Sequence, residues 1–451
     1  MELKDFLPHE IIYISSNNLY NAAFQYGQIV APLTQKTLHK KITKNSVHSL
    51  AQAKTLLHFL QKLTETEIFV VNGENWLKRY FELFRGFCEG SNISLEQGAY
   101  LQSEGDTSCQ TIFVKDKNTG RLNFIHIEEN DDDDDLYQIH EILEKKQHAL
   151  IERDTQKNSQ VTALEKNLYN YRVVEMSVMG RKMTFFAYPG LCPYGAAFGY
   201  NETTKCVMAA DTLLLKTNYT KNSLWASVLP SMLLDCGEIE IADEIFRRLK
   251  KNRIQFFNAY AIHLIQHRSS SSMKSYEFGA EYAEIVEPTE RNDRWFISQT
   301  NFPRNKSLIK EDLFTFESSQ SNSDIEATQV YLAVTSCDKR LRSIAEEMQF
   351  LPDTDSNILS LLNTIAVPYG DLYTSQGTKE YLGFVSASEA AYTVATFAND
   401  GMKIIIGKLA PPPIVGEEYF RFYSDEILAS QKYVLRDLRL VASQLKSKDG
   451  I

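Results

Sequence analysis

The sequence predicts a mixed α+β fold in which stacked antiparallel sheets are covered by layers of helix. The first hundred residues show the three- and four-residue apolar spacing of amphipathic helices, and later segments show the two-residue period of strands. The two kinds of element come in blocks, and blocks favour antiparallel sheets with separate helical layers over a parallel α/β sheet. The length of 451 residues suits two or three domains, or one large body with additions.

The composition excludes several classes of protein. Hydrophobic residues make up 43% of the chain, charged residues 24% and aromatic residues 11%, which are values of a packed globular protein and exclude disorder, collagen and coiled coil. The formal net charge is −10, and no long basic block offsets it. We therefore expect neither nucleic acid nor an anionic membrane surface as a partner.

Cysteine usage and the start of the chain point to the cytosol. The six cysteines include no Cys-x-x-Cys pair and no dense framework, so we expect reduced thiols. The first residues lack a basic start followed by an apolar segment, and no window approaches 18 uninterrupted apolar residues. We expect a cytoplasmic protein without a membrane span, although export without a cleaved signal peptide stays open.

The helical block comes first. Apolar residues recur at helical spacing through residues 46–85, and Ser94 followed by Glu96 and Gln97 predicts the capped start of a further short helix. A polar loop at residues 103–108 ends this block.

A β-hairpin follows the loop. Residues 109–115 and 121–127 alternate with period two, and the intervening Asp-Lys-Asn-Thr-Gly is a turn sequence, so the first strand begins at Cys109. An acidic run at 130–135 opens a charged segment to about residue 170, which we interpret as a surface insertion with a solvated helix start. It lacks the spacing of an EF-hand calcium loop.

Strands and helices then alternate in blocks. Further strands are predicted at residues 173–178, 183–188, 205–209, 382–386, 392–397 and 403–407, the last two joined by Asn399-Asp400-Gly401. Helices are predicted around residues 241–249 and 341–351 and over residues 425–445.

Several segments together resemble one enzyme family. Residues 87–96, followed by Cys109 at the start of a strand, resemble the junction of prosegment and mature chain in the isopenicillin N acyltransferase-like (C45) branch of the N-terminal nucleophile (Ntn) hydrolases. Other segments are similar to that family's motifs and follow in the same order. Residues 125–129 resemble its His-Asn-Glu-Asp stretch, residues 188–190 its Tyr-Pro-Gly and residues 199–202 its Gly-x-Asn-Glu. Residues 299–301 resemble its Thr-Asn element and residues 336–344 its Arg-bearing segment.

The resemblance implies an αββα sandwich of two stacked antiparallel sheets. It also implies a mainly helical prosegment, residues 1–108, that is cleaved from a catalytic body, residues 109–451, and stays associated with it. Cys109 would then be the catalytic nucleophile, acting on the amide or thioester carbonyl of a small molecule through an acyl-enzyme. Because the sequence shows no zinc-ligand spacing and no glycine-rich phosphate-binding motif, we expect no metal and no cofactor. Chemistry favours this arrangement, because a free α-amino group with a pKa of about 8 lies within reach of the thiol on the same residue.

The resemblance assigns the other roles position by position. Glu129 falls where the family has an Asp that holds the N-terminal amine, with Glu128 as the rival. Asn201 and Asn301 match asparagines that stabilise the oxyanion, and Tyr200 can support or replace Asn201. For the arginine, helix geometry places Arg340 nearer the apolar stripe than Arg342, so Arg340 is the predicted site residue and Arg342 is predicted to face water.

Two alternatives remain beside the self-processed enzyme. The glutamate in place of aspartate and the order Ser108-Cys109-Gln110-Thr111 depart from the family pattern. They are compatible with an uncleaved, inactive member that acts as a binding or regulatory module through the charged insertion. A papain-type Cys/His protease is less favoured, because no helix-borne cysteine with a later His-Asn stretch stands out. His126 is interpreted as a structural residue.

Overall fold

In a computed structural model the chain forms the mixed α+β fold that the sequence predicts, with two large sheets and a helical N-terminal region. The description covers residues 4–5, 11–43, 49–103, 107–130, 172–187, 191–194, 198–213, 220–267, 271–279, 283–301, 303–304, 341–342, 345–346, 348, 389–398, 401–408 and 431–437. The charged insertion predicted at about 130–170 and the strand predicted at 382–386 lie outside these residues, apart from Asn130.

Six helices have described bounds. They are α1 (Leu19–Thr43), α2 (Leu50–Thr64), α3 (Trp76–Gly90), α4 (Leu95–Ser103), α5 (Val228–Cys236) and α6 (Ile239–Asn252). Local signals explain where several of them start and stop. Ser94 and Gln97 form the reciprocal cap predicted for α4, since Gln97 N–H donates to Ser94 Oγ and Ser94 N–H to Gln97 Oε1. Gly237 ends α5 with a left-handed φ of 59°.

The first sheet has the strand order β1-β20-β19-β18-β6-β5-β17-β16. Its strands are β1 (Lys4–Asp5), β5 (Thr107–Asp116), β6 (Leu122–Asn130), β16 (Thr289–Arg291), β17 (Arg294–Gln299), β18 (Glu389–Ala398), β19 (Gly401–Lys408) and β20 (Gln431–Asp437). All its pairs are antiparallel except β1 with β20. The hairpin predicted from Cys109 onward, β5 and β6, lies near its centre.

The second sheet has the strand order β15-β14-β13-β10-β9-β8-β7-β2. Its strands are β2 (Ile11–Ser16), β7 (Arg172–Val178), β8 (Arg181–Ala187), β9 (Phe198–Asn201), β10 (Cys206–Leu213), β13 (Ala259–His267), β14 (Ser271–Phe278) and β15 (Ala283–Val286). Only β2 and β7 pair in parallel. Two small ribbons, β3 (Val70–Val71) with β4 (Glu74–Asn75) and β11 (Ser223–Leu224) with β12 (Gln255–Phe256), complete the strands.

The two sheets face each other, and helices cover the outer face of the second. Phe113 of the first sheet packs edge-on against the His263 ring of the second. Helices α5 and α6 pack on β9, β10 and β13 to β15, α1 packs on β2 and β7, and α3 packs on α1 and α5. The structure therefore shows a helix layer on two stacked sheets, an arrangement compatible with an α+β sandwich.

The N-terminal region is tied into both sheets. Strand β2 adds an edge to the second sheet and β1 pairs with β20 of the first. Helix α3 is joined to the end of α5 by a buried ion pair between Arg79 and Asp235. The apolar periodicity of this region predicts its helices but not these strands.

One predicted helix is wrong over its described part. Residues 425–445 were expected to be helical, yet β20 (Gln431–Asp437) lies within them and pairs with β19 and β1. Its Tyr-Val-Leu centre is compatible with either state, and pairing with the edge of the sheet decides between them. No described helix is long and apolar enough to cross a membrane.

Candidate functional site

Cys109 lies near the start of a central strand, between the two sheets. It is the third residue of β5 and is fully buried. Thr111 and Phe113, two and four residues further along β5, both contact residues of the second sheet. Successive side chains of a strand point to opposite faces, so Cys109 shares the inter-sheet face with them.

The two glutamates predicted near the amine lie across the hairpin. Cys109 pairs with Glu128 and Ser108 pairs with Glu129 in the β5–β6 ladder. Glu128 is therefore the residue directly opposite the cysteine, while Glu129 is opposite the residue before it. The side chains of both glutamates lie outside the described part of the structure.

Asn301 is brought to the same region. Strand β17 runs antiparallel to β5 and ends with Gln299 opposite Thr111, and Asn301 follows two residues beyond this end of the ladder. The Asn301 side chain is buried and its Nδ2 donates to the Thr212 carbonyl at 2.8 Å. It thus lies between the end of β17 and the end of β10.

Asn201 is placed elsewhere. Asn201 pairs with Cys206 of β10. Cys206 and Asp211 are an odd number of positions apart in this strand, so their side chains point to opposite faces, and that of Cys206 faces the helices. Asn201 Nδ2 donates to the carbonyls of Leu234 and Asp235 at 2.9 and 3.2 Å, and Asn201 Oδ1 accepts from Thr204 N–H. To donate to an oxyanion, this amide would have to give up bonds that hold the end of α5.

Tyr200 lies on the opposite face of the second sheet from Asn201. It is buried and pairs with Val207, which shares the inter-sheet face with Asp211 by alternation. Asn201 and Tyr200 were both considered as oxyanion donors, and of the two it is Tyr200 that faces the first sheet.

Arg340 lies outside the described residues, but part of the helix predicted around residues 341–351 is described. Leu341 and Ala345 are helical and buried, Met348 is also buried, and Arg342 is exposed, as the apolar stripe predicts. The Arg294 guanidinium of β17 donates to the Met348 carbonyl at 2.6 Å. This segment therefore lies beside the strand that leads to Asn301.

A buried polar network that the sequence analysis did not predict joins the two sheets beside Cys109. Asp211 Oδ2 accepts from Thr111 Oγ1 at 2.7 Å and lies 2.8 Å from His263 Nε2. Thr111 Oγ1 is also 2.8 Å from His126 Nδ1, and His263 Nδ1 is 2.6 Å from Ser275 Oγ. All five side chains are buried, so the network is shielded from bulk water.

The hydrogen positions follow from the partners. The Thr111 hydroxyl gives its single proton to Asp211 Oδ2, so its oxygen accepts from His126 Nδ1. Burial lowers the pKa of His263 despite the opposing effect of Asp211, which keeps its ring neutral. His263 Nε2 then donates to Asp211, and its Nδ1 accepts from Ser275.

The sequence contained one signal for this network. Asp211 and His263 each stand in a segment of mostly apolar residues, and such polar residues are buried only when they are paired. Nothing in the sequence says that they pair with each other or with a threonine 100 residues away.

Comparison with known proteins adds no assignment. No protein-family model matches the chain, and no curated protein matches it at a significant level.

Proposed function

We propose that the chain is the precursor of an N-terminal cysteine amidohydrolase or acyltransferase, with Cys109 as the nucleophile. The observation that supports this best is the placement of Cys109 near the start of a central strand, facing the space between the two sheets, with the buried Asn301 two residues beyond the end of the neighbouring strand β17. Cleavage before Cys109 would give its α-amino group the role of base, and the thiolate would attack an amide or thioester carbonyl. The acyl-enzyme would then pass to water or to an amine.

The surrounding residues fit this chemistry to different degrees. Asn301 is the better placed of the two oxyanion donors, an interaction worth about 3 kcal/mol in the transition state. Asn201 is engaged with the end of α5, so Tyr200 is the better candidate for a second donor. Glu129, or Glu128 opposite the cysteine, would hold the new amine, and Arg340 would orient a substrate carboxylate.

Intact mass spectrometry of the purified protein tests the proposal. Wild-type protein is expected to yield fragments of residues 1–108 and 109–451 that elute together in size exclusion, because β1, β2 and Arg79 tie the first fragment to the second. Cys109→Ala is expected to stay whole. Cys206→Ala is the matched control. Cys206 is also buried, but it lies opposite Asn201 in the β9–β10 ladder and faces the helix side of the second sheet, so the Cys206→Ala protein should cleave like wild type.

A second candidate is an uncleaved protein that serves as a binding module. The observation in its favour is that Ser108 and Cys109 both pair within the β5–β6 ladder, which holds the bond between them in regular extended structure. A single full-length mass for wild type, for Cys109→Ala and for Cys206→Ala would favour this candidate and count against self-processing.

A further inference from the structure

We propose that His126, held in position by Thr111 and Asp211, is the base that activates Cys109 in the uncleaved chain. This inference rests on the proposed self-processing. Before cleavage the nitrogen of Cys109 is an amide nitrogen and cannot take the thiol proton. A thiol with an ordinary pKa near 8.5 is mostly protonated at neutral pH, so the precursor needs another proton acceptor for its own cleavage.

The sheet places His126 next to Cys109. His126 pairs with Thr111 and Cys109 pairs with Glu128, so His126 and Cys109 are diagonal neighbours across the β5–β6 ladder. Both lie on the inter-sheet face, where His126 packs against Phe198 of the second sheet. Diagonal neighbours are roughly 7 to 8 Å apart between Cα atoms, a distance that an imidazole can span.

The network sets which nitrogen of His126 is basic. Since Nδ1 donates to Thr111, the neutral ring carries its lone pair on Nε2, the nitrogen able to take a proton. Asp211 Oδ1 lies 3.6 Å from His126 Nδ1 and stabilises the imidazolium once it forms. His263 and Ser275 fix the carboxylate from the second sheet. Thr111 and Asp211 are therefore positioning residues.

The step balances with one water molecule. His126 Nε2 takes the thiol proton of Cys109, and the thiolate adds to the carbonyl carbon of Ser108. The Ser108–Cys109 C–N bond then breaks, and the leaving nitrogen takes the proton back from His126, which leaves a thioester between Ser108 and the Cys109 sulfur. Water adds to this thioester, the C–S bond breaks, and the products are the Ser108 carboxylate and an N-terminal cysteine.

Paired substitutions at Thr111 give the sharpest test. Thr111→Val keeps the shape of the side chain but removes the hydroxyl that links His126 to Asp211, whereas Thr111→Ser keeps the hydroxyl. We expect the first to slow cleavage roughly tenfold or more and the second to recover most of the rate. His126→Gln should slow cleavage by about 100-fold or more, because the base itself is lost.

The matched control is Thr34→Val. Thr34 is also fully buried, and its Oγ1 bonds only to the Val30 carbonyl within α1 among the contacts described for it. Thr34→Val removes the same hydroxyl group as Thr111→Val, but in helix α1 and not beside the cysteine. The Thr34→Val protein should therefore cleave at the wild-type rate. If His126→Gln fails to fold, the two Thr111 variants still test the proposal. A loss of rate in Thr111→Val that Thr111→Ser does not recover contradicts the relay from Cys109 to His126, Thr111 and Asp211.

The outcomes separate this inference from the proposed function. If wild type cleaves and Thr111→Val and His126→Gln cleave within about threefold of it, the relay is wrong while self-processing stands. If wild type stays whole, self-processing fails, and alkylation of Cys109 by iodoacetamide then tests the relay. Because Cys109 is buried, its alkylation rate is divided by the equilibrium constant for the opening of β5, which hydrogen exchange of the peptide containing Cys109 measures. Equal corrected rates in wild type and both variants would overturn the relay, and a roughly tenfold lower rate in both would support it.

Discussion

Removing one partner of the buried ion pair between Arg79 and Asp235 is expected to destabilise the protein strongly. Arg79 in α3 donates from Nε to Asp235 Oδ2 at 2.6 Å and from Nη2 to Oδ1 at 3.1 Å. The side chains are 9% and 2% exposed. Glu74 contacts the same guanidinium at 3.2 Å but is 44% exposed. One arginine thus offers a buried and an exposed carboxylate for comparison.

Burial decides how much each carboxylate contributes. Asp235→Ala leaves a buried guanidinium without its main partner, which typically costs about 3 to 5 kcal/mol of unfolding free energy. Glu74→Ala breaks a pair of the exposed kind and should cost less than about 1 kcal/mol. Replacing both members of the buried pair, as in Arg79→Met with Asp235→Leu, should cost much less than Asp235→Ala, because no charge is left buried.

Urea unfolding at pH 7, followed by tryptophan fluorescence, measures these free energies. Trp76 is a suitable reporter because the Arg79 guanidinium lies over its ring at 5.4 Å. Burial by itself lowers the pKa of Arg79, but Asp235 and Glu74 together outweigh this and raise it. Because its pKa is raised in the folded state, the arginine is fully charged at pH 7 in both the folded and the unfolded chain, and its contribution is complete there. A cost for Asp235→Ala no larger than that for Glu74→Ala would refute the reasoning.

Three further predictions concern packing, pH and thiol reactivity. Gly90→Ala should destabilise the protein by about 1 to 3 kcal/mol in urea unfolding, because a Cβ there overlaps the Phe24 carbonyl of α1, and unchanged stability would show that the helices can move apart. Asp116→Asn should cost about 0.5 to 1 kcal/mol at pH 7. The Thr119 N–H lowers the pKa of Asp116 below its ordinary 3.8. The difference in unfolding free energy between wild type and Asp116→Asn should therefore be complete above pH 3.8 and shrink as the pH falls through the lowered pKa. A difference that does not change with pH would contradict this. Burial raises the pKa of Cys236 to about 12, so iodoacetamide at pH 8 should label it only after unfolding, and peptide masses showing native labelling would exclude this burial.

The sequence predicted elements whose signal is local. The β5–β6 hairpin, the Ser94–Gln97 cap of α4 and the buried stripe with Leu341 and Ala345 are all found where the residue pattern placed them. Each depends on neighbours within a few residues, where capping bonds and the period of apolar residues already specify the conformation. The α+β class followed from the same periods.

Elements that depend on distant partners were missed or wrong. Strand β20 lies within a predicted helix, and β2 was not predicted, because each is an edge or near-edge strand stabilised by pairing with a strand far away in the chain. Local propensity is a weak guide where such pairing supplies most of the free energy.

By itself the sequence determined the α+β class of the fold and the strand that begins near Cys109, and it supplied the residues for the proposed cysteine chemistry. Only the tertiary structure decided which of them meet. It placed Asn301 between the ends of β17 and β10, put Asn201 against the end of α5, and joined Thr111, Asp211 and His263 across the two sheets. The physical reason is that local hydrogen bonds and periodicity act between neighbours in the chain, whereas a site is formed by the stacking of sheets that brings residues 100 or more positions apart into contact.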